Sequence, residues 1–243
     1  MLASAALVLL PPAALAAAPS RALTTAQGIA LARDYARARK GVVAFAVLDP
    51  QGRLRGLNRT VAFPSASVMK AMLLVARLRE LDHRPLTRAE RRVLGPMVTV
   101  SDNAAAHSVY RRVGDRGLRR LGRAAGMRYL QTFRGDPFGT RITAADQVRF
   151  FLRIDRLVPP AHRAYARRLL ASIVPFERWG IAPVAHDRGL KILFKGGWRP
   201  GIVHQVALLE RGRRRVALAV LTSGQSQSYG EATLEGIARR VLR

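Results

Sequence analysis

Uninterrupted apolar runs and stretches of helical periodicity follow one another along the chain, and they predict its secondary structure. The apolar run at 41–49 is typical of a buried strand, and the Pro-Gln-Gly turn after it leads into a return strand at 54–57. Three more strands are predicted later in the chain, at 191–194, 203–209 and 215–222. Helix-forming composition or apolar residues repeated every three to four positions predict helices, at 26–39, 65–81, 143–157, 160–173 and 230–242, with short helices between 86 and 125.

The order of these elements predicts an α+β fold, a mixed αβα sandwich. The strands come from the two ends of the chain and the middle is predicted to be helical. We therefore expect an antiparallel sheet flanked by helices, with an inserted all-helical domain. Residues 19–58 and 174–243 are assigned to the sheet domain, and residues 59–173 to the helical domain.

The first 18 residues carry no charged side chain and are mostly Ala, Leu and Val. They end in Ala16-Ala17-Ala18, an A-x-A pattern, and so predict a signal peptide at 1–18, cleaved near Ala18, with export to the periplasm or the extracellular medium. No Lys or Arg precedes the apolar stretch, so an N-terminal helix of the folded domain is the alternative. Pro11 and Pro12 interrupt the run, which is too short to span a bilayer.

The formal net charge is +27, from 42 basic and 15 acidic residues. A field of this sign attracts wall polymers, anionic membranes and nucleic acid. The basic residues are spread along the whole chain and no nucleic-acid motif is present, which favours a solvated basic surface over specific nucleic-acid binding. We expect a monomer with a loose attraction to an anionic wall or membrane surface.

Composition also narrows the class of active site. The chain has no cysteine, so thiol catalysis and thiolate metal sites are excluded. Its five histidines show none of the H-x-x-x-H or H-E-x-x-H spacings of zinc enzymes. The sequence therefore predicts neither a metal nor a cofactor.

Lysine is rare among the basic residues, since only four of the 42 are lysine: Lys40, Lys70, Lys191 and Lys195. Arginine cannot release its proton inside a protein, whereas a buried lysine can, so these positions are candidates for acid–base chemistry. Lys70 follows Ser67 by three positions, and on a helix the two side chains share a face. A serine becomes a nucleophile when a neighbouring base accepts its proton. A capping serine beside a surface lysine is the simpler interpretation of this pair alone.

Two further short motifs carry polar groups suited to catalysis. Ser101-Asp102-Asn103 follows an apolar stretch and offers a hydroxyl for proton transfer to a leaving amine and an amide for a substrate amide. Lys195-Gly196-Gly197 ends the predicted strand 191–194, and its glycines allow a substrate backbone to lie against the strand edge. Each motif alone is equally typical of a turn, but their combination and order favour an active site.

In this order, S-x-x-K, S-D-N and Lys-Gly-Gly resemble the S-x-x-K, S-D-N and K-T-G signature of class A β-lactamases and penicillin-binding proteins. The lead-in Phe63-Pro64-Ser65-Ala66-Ser67 is similar to the F-P-x-x-S of class A enzymes. The resemblance covers roughly residues 24–243. It implies a sheet domain, an inserted helical domain and a cleft between them that takes β-lactams or peptidoglycan-like acyl-D-alanyl substrates.

The resemblance implies catalytic roles for the matching residues. Ser67 would attack an acyl carbonyl and form an acyl-enzyme, and Lys70 would be the base that accepts its proton. The positive charge of nearby Lys195 would keep that base partly neutral. Ser101 would relay a proton to the leaving nitrogen.

The same resemblance implies a substrate-binding set. Asn103 would position the acyl amide, and Gly197 would lie beside the substrate backbone. The backbone N–H groups of Ser67 and Trp198 would form an oxyanion hole. Lys195 and Arg199 would hold a substrate carboxylate.

The sequence departs from the family pattern where the acyl-enzyme is hydrolysed. Class A enzymes use a Glu on a loop after S-D-N, but no Glu lies between Glu90 and Glu177. The closest match is Arg134-Gly135-Asp136-Pro137, in which Asp136 would activate the hydrolytic water. Its side chain is one methylene shorter, and pairing with an arginine is the alternative role.

Two other departures bear on the substrate. Gly196 stands where the third motif has Thr, and the segment between Lys70 and Ser101 is short, which predicts a more open cleft. A long-lived acyl-enzyme would make the protein a penicillin-binding, DD-peptidase-like enzyme. Another exported serine acyl hydrolase and a non-catalytic cell-wall-binding module remain alternatives.

Overall fold

The computed structural model of the protein describes residues 23–242, and its strands form two sheets. The strands are β1 (Val42–Leu48), β2 (Leu54–Leu57), β3 (Ala62–Pro64), β4 (Gln131–Phe133), β5 (Asp136–Thr143), β6 (Lys191–Arg199), β7 (Ile202–Arg211) and β8 (Arg214–Ser223). The larger sheet is antiparallel with the order β2-β1-β8-β7-β6, and the smaller has the order β3-β5-β4. The first two and the last three strands share one sheet, which confirms the prediction of a sheet built from both ends of the chain.

Helices surround the larger sheet and form a separate group beside it. They are α1 (Ala26–Arg37), α2 (Met69–Leu81), α3 (Arg88–Thr99), α4 (Asn103–Ala125), α5 (Ala144–Leu152), α6 (Ile154–Leu157), α7 (Arg163–Ala171), α8 (Ile181–Asp187) and α9 (Gln227–Val241). α1 and α9 pack on each other and on the sheet, α5 packs on β1, β7 and β8, and α2, α3 and α4 pack together. The mixed α+β class predicted from the sequence is confirmed.

The interior strand β1 reads Val-Val-Ala-Phe-Ala-Val-Leu, and all of its residues after Val42 are buried. An antiparallel strand with one wet face alternates apolar and polar residues, whereas a strand covered on both faces is apolar throughout. β1 contacts α1 and α5 as well as its neighbouring strands, which explains its continuous apolar sequence.

Helix α2 is buried over almost its whole surface, since every residue from Met69 to Ala76 is buried. It packs against α3, α4, α6 and α7. A helix surrounded in this way has no polar face, so a polar side chain on it needs a partner inside the protein. Lys70 is such a side chain.

The structure differs from the sequence predictions in the middle of the chain. The stretch 59–173, predicted to be all helical, also contains β3, β4 and β5. The predicted helix 65–81 begins as a 3-10 turn at Ala66–Val68, and the predicted strand 191–194 continues as β6 to Arg199. The division into two domains stays a prediction.

Two predictions concern the ends of the chain and membranes. The predicted signal peptide at 1–18 lies outside the described residues. Within residues 23–242, no helix is both long and apolar enough to cross a bilayer.

Candidate active site

The segment that carries Ser67 is held by both sheets at the two residues Pro64 and Ser65. The N–H of Ser65 donates to the carbonyl of Thr140 on β5, 2.8 Å away. On the other side, Nε2 of His204 on β7 lies 3.0 Å from the carbonyl of Pro64. Ser67 follows in the 3-10 turn Ala66–Val68 and is half-buried, so its hydroxyl is fixed in place yet reachable.

His204 acts here as a neutral structural link. Its Nδ1 accepts the N–H of Thr222 at 3.1 Å, so Nε2 carries the proton and donates to Pro64. The ring is fully buried and packs edge-on against Phe63 at 5.6 Å. Burial lowers the pKa of His204 to about 4, so it stays uncharged at neutral pH and ties β7 to the nucleophile segment.

Lys70 is the centre of the polar network. Its Nζ lies 3.0 Å from Ser67 Oγ, 3.0 Å from Ser101 Oγ and 2.7 Å from Asn103 Oδ1, and it also bonds the carbonyl of Ser101. The side chain is completely buried. The structure therefore joins the S-x-x-K and S-D-N motifs around one amine.

The environment of Lys70 favours the neutral amine. Burial first, and then the positive charge of Lys195, lower its pKa from the ordinary 10.5 to about 7, while Glu177 and Asp102 oppose the shift. About half of the Lys70 side chains are neutral at pH 7 with this pKa. A neutral Nζ has a lone pair that can accept the proton of the Ser67 hydroxyl, so Lys70 is suited to the role of base.

The second motif stands at the start of α4. Asp102 caps the helix by accepting the N–H of Ala105 at 2.8 Å, and Asn103 begins it. Ser101 has a φ of 59°, in the left-handed region, and this backbone conformation accompanies the contact of both its carbonyl and its hydroxyl with Lys70. Residues in such strained conformations cluster at functional sites.

The third motif lies along β6, the edge strand next to the nucleophile. A methyl carbon added at Gly197 would lie 2.7 Å from the nitrogen of Ser67 and 2.8 Å from that of Val68, so only glycine allows this approach. Trp198 and Arg199 follow and are exposed at the end of the strand. The structure thus brings β6 directly against the backbone of Ser67.

Lys195 is buried and is paired with a carboxylate of the protein. Its Nζ donates to Glu177 Oε2 at 2.9 Å and to the carbonyl of Gly196 at 3.0 Å. Its side chain is 0% exposed, and that of Glu177 is 9% exposed. Burial lowers the pKa of Lys195, and the Glu177 carboxylate opposes the shift.

Asp136 begins β5 and is exposed. Its Oδ1 accepts the N–H of Gly139 at 2.8 Å and so closes a turn. In the described part of the chain it forms no ion pair, which contradicts the alternative that it pairs with an arginine, and no hydrogen bond links it to Lys70 or Ser67. The ring of Phe138, two residues further, lies 5.3 Å from the Lys70 Nζ.

A family model described as the beta-lactamase enzyme family matches residues 89–243, which is more than half of the chain. The chain belongs to the beta-lactamase enzyme family. It is therefore a serine hydrolase, as the arrangement of Ser67 and Lys70 indicates. The search of curated proteins finds no match.

Solved structures with this fold include beta-lactamases and a protein described as PBP-A. A beta-lactamase from Sphaerobacter thermophilus has a TM-score of 0.74 and 21% identity, over 88% of this chain and 95% of that one. A beta lactamase from Xanthomonas campestris has a TM-score of 0.73 and 19% identity, over 87% and 94%. PBP-A has a TM-score of 0.75 and 16% identity, over 91% and 96%. These likenesses establish the fold of this beta-lactamase family member.

Sequence reasoning missed three side chains near this family's motifs. Glu177 was noted only as the end of a stretch without glutamate, although it pairs with Lys195. Trp179 and Phe138 were not singled out. Trp179 contacts Gly196, since a methyl carbon there would lie 3.1 Å from the indole ring. The sequence signal for this contact is Gly196, which stands where the family motif has Thr and so leaves space for the Trp179 ring.

Within residues 23–242, no group of three His, Asp or Glu side chains is arranged to hold a metal ion. The polar atoms around Ser67 instead form one hydrogen-bonded network centred on an amine.

Proposed function

We propose that the protein is an exported serine hydrolase that cleaves the amide of β-lactams through an acyl-enzyme on Ser67. The observation that carries this proposal is the buried Lys70 amine, 3.0 Å from both the Ser67 and Ser101 hydroxyls, with its pKa lowered to about 7. An amine in this position serves one serine as a base and the other as a proton source. The family membership supports the same chemistry.

The proposed acylation moves one proton through three side chains. Ser67 Oγ attacks the lactam carbonyl carbon, and its proton passes to the neutral Nζ of Lys70. The C–N bond then breaks, the lactam nitrogen takes the proton of Ser101 Oγ, and Lys70 returns a proton to Ser101. The amine ends neutral, and the acyl group is esterified to Ser67.

Substrate binding in this proposal uses both sides of the cleft. The Asn103 amide nitrogen is available to the acyl amide, because its Oδ1 already accepts from Lys70. The N–H groups of Ser67 and Trp198 would stabilise the oxyanion, where loss of one such donor typically costs about 10²–10³ in rate. Gly197 would lie beside the substrate backbone, and its lack of a side chain lets β6 approach the backbone of Ser67. Arg199 is an exposed cation for a substrate acid.

Hydrolysis of the acyl-enzyme requires a base that activates a water molecule. Asp136 is the proposed base, yet one of its oxygens is engaged by Gly139 and the carboxylate is exposed. A misplacement of about 1 Å costs about 10²-fold in rate. This favours slow deacylation, so a penicillin-binding, DD-peptidase-like activity on acyl-D-alanyl substrates is the second candidate function.

Intact-protein mass spectrometry after mixing with a penicillin tests the proposal. Wild type is expected to gain one ligand mass, Ser67→Ala none, and the control Ser108→Ala, on α4, the same mass as wild type. Rapid loss of the adduct that Asp136→Asn abolishes would assign hydrolysis to Asp136. A persistent adduct on wild type supports the peptidase-like alternative. An unlabelled wild type with every β-lactam tried would refute acylation by these substrates.

The proposed function includes export of the protein and its attraction to anionic surfaces of the cell. Cleavage near Ala18 would release the domain outside the cytoplasm, where β-lactams and wall peptides are met. The charge of +27 would hold it loosely near anionic wall or membrane polymers. N-terminal sequencing of the secreted protein tests the cleavage, and salt-dependent release from cell walls tests the attraction.

A further inference from the structure

The ammonium of Lys195 already faces a carboxylate that belongs to the protein. Glu177 lies at the end of the 3-10 turn Pro175–Glu177, and its Oε2 accepts from Lys195 Nζ at 2.9 Å. The second acceptor is the carbonyl of Gly196 at 3.0 Å. A substrate acid at Lys195 would therefore meet a cation whose charge is balanced before the substrate arrives.

Burial reinforces this internal pairing. The Lys195 side chain is 0% exposed and that of Glu177 only 9%. A carboxylate and an ammonium removed from water are each strongly disfavoured unless they are paired, so exchange of Glu177 for a substrate acid would leave a buried carboxylate without its partner.

The position next to Lys195 also lacks a group for a substrate acid. Gly196 has no hydroxyl, and the space beside it is filled by the indole of Trp179, 3.1 Å from where a methyl carbon would be. Trp179 is itself fixed, since its carbonyl accepts from the Gln205 side chain at 2.8 Å. The cleft wall at 195–196 is thus electrically neutral and apolar.

Arg199 is a further cation near this end of β6. Arg199 is exposed and forms no ion pair with any described residue. An exposed cation in water contributes little to binding an anion, because solvent and salt screen the attraction. Arg199 therefore does not replace a buried, dedicated carboxylate site.

We propose that Glu177 is an internal counter-ion that takes the place of the substrate's acid group at Lys195, so that the cleft accepts neutral acyl substrates as readily as acidic ones. Glu177 is a positioning residue in this proposal, because it acts through Lys195. The substrate class is β-lactams and acyl amides whose acid is esterified or amidated. The inference rests on acylation of Ser67 as proposed above.

A pair of substrates that differ only in charge tests it. We would measure the second-order rate of Ser67 acylation by benzylpenicillin and by its methyl ester. Wild type is expected to show a ratio of acid to ester within about tenfold, since only a screened Arg199 favours the acid. A preference of wild type for the acid above about 100-fold, the size of a dedicated charged hydrogen bond, would overturn the proposal without any variant.

Two variants separate this role from general stabilisation. Glu177→Gln leaves Lys195 without its counter-ion, and the ratio of acid to ester is expected to rise by about 10- to 100-fold. The control Glu210→Gln removes a partner of Arg167 and Arg215 at the far end of β7 and should leave the ratio unchanged. Equal loss of both rates in Glu177→Gln would show a merely structural carboxylate and overturn the proposal. Absence of an adduct with either compound would instead refute the proposed function, and the inference with it.

Discussion

The lowered pKa of Lys70 makes a quantitative prediction about the pH dependence of acylation. With a pKa of about 7, roughly half of the enzyme holds a neutral base at pH 7, against about 3 in 10⁴ for a lysine at 10.5. The acylation rate is therefore expected to rise about tenfold per pH unit below 6.5 and to level off above 8. The acylation rate falls at low pH because protonation of Lys70 removes the lone pair that accepts the Ser67 proton.

Substitution of Lys70 by Arg tests whether acylation depends on the release of a proton by Lys70. Arginine keeps the positive charge but cannot release its proton, so acylation at pH 7 should fall by about 10³ and lose its rise with pH. The matched control is Lys191→Arg, at an exposed lysine of the same β6 strand, and it should behave as wild type.

The assay is single-turnover labelling by a β-lactam between pH 5 and 9, followed by mass spectrometry or rapid-mixing absorbance. A wild-type rate that is flat between pH 5.5 and 8, or a midpoint above pH 9, would refute the assignment of Lys70 as base. So would a Lys70→Arg enzyme that retains more than about a tenth of the wild-type rate.

Three further substitutions probe parts of the site. Asp102→Asn should move the midpoint of the acylation pH profile downward, because its carboxylate favours protonated Lys70 and Asn keeps the helix cap; an unchanged or higher midpoint would contradict this. Gly197→Ala should reduce acylation by about 10² or more, since the added carbon would displace the backbone of Ser67; a wild-type rate would disprove the close approach. Asp146→Ala should lower the free energy of unfolding by about 3 kcal/mol in urea titrations. The buried Asp146 carboxylate accepts hydrogen bonds from the backbone N–H groups of Arg128 and Tyr129 and from the Arg149 side chain. A loss below about 1 kcal/mol would contradict that role.

The larger sheet was predictable because the sequences of its long strands are sufficient to identify them as strands. β1, β7 and β8 are long apolar runs bounded by turns, and their order along the chain suffices to predict one sheet. The smaller sheet was not predictable in the same way. β4 and β5 are partly exposed, and β5 pairs with β3 from more than 70 residues away, so tertiary contacts define them.

The candidate site was predictable where its residues lie close together on one element, or where the order of the three motifs matches that of a known family. Ser67 and Lys70 sit one helical turn apart, and the contact of Lys70 with Ser101 and Asn103 follows the order of the motifs. Glu177 carries no such signal. It lies 18 positions from Lys195, and an isolated glutamate in a sequence is typical of a solvated surface. Only the folded chain reveals that this carboxylate is buried against an ammonium.

Two residues next to the Ser67–Lys70 pair have backbone conformations that limit how the enzyme can be stabilised against heat. Ala66 and Ser101 have φ values of 45° and 59°, a region that favours glycine, and each such residue costs of the order of 1–3 kcal/mol. Selection for heat resistance alone would favour substitutions that remove this backbone cost. Ala66→Gly would raise thermal tolerance by loosening the geometry that aims the nucleophile, and Ser101→Gly would also remove the hydroxyl proposed as the proton relay. Thermal stability and turnover therefore compete at these two residues.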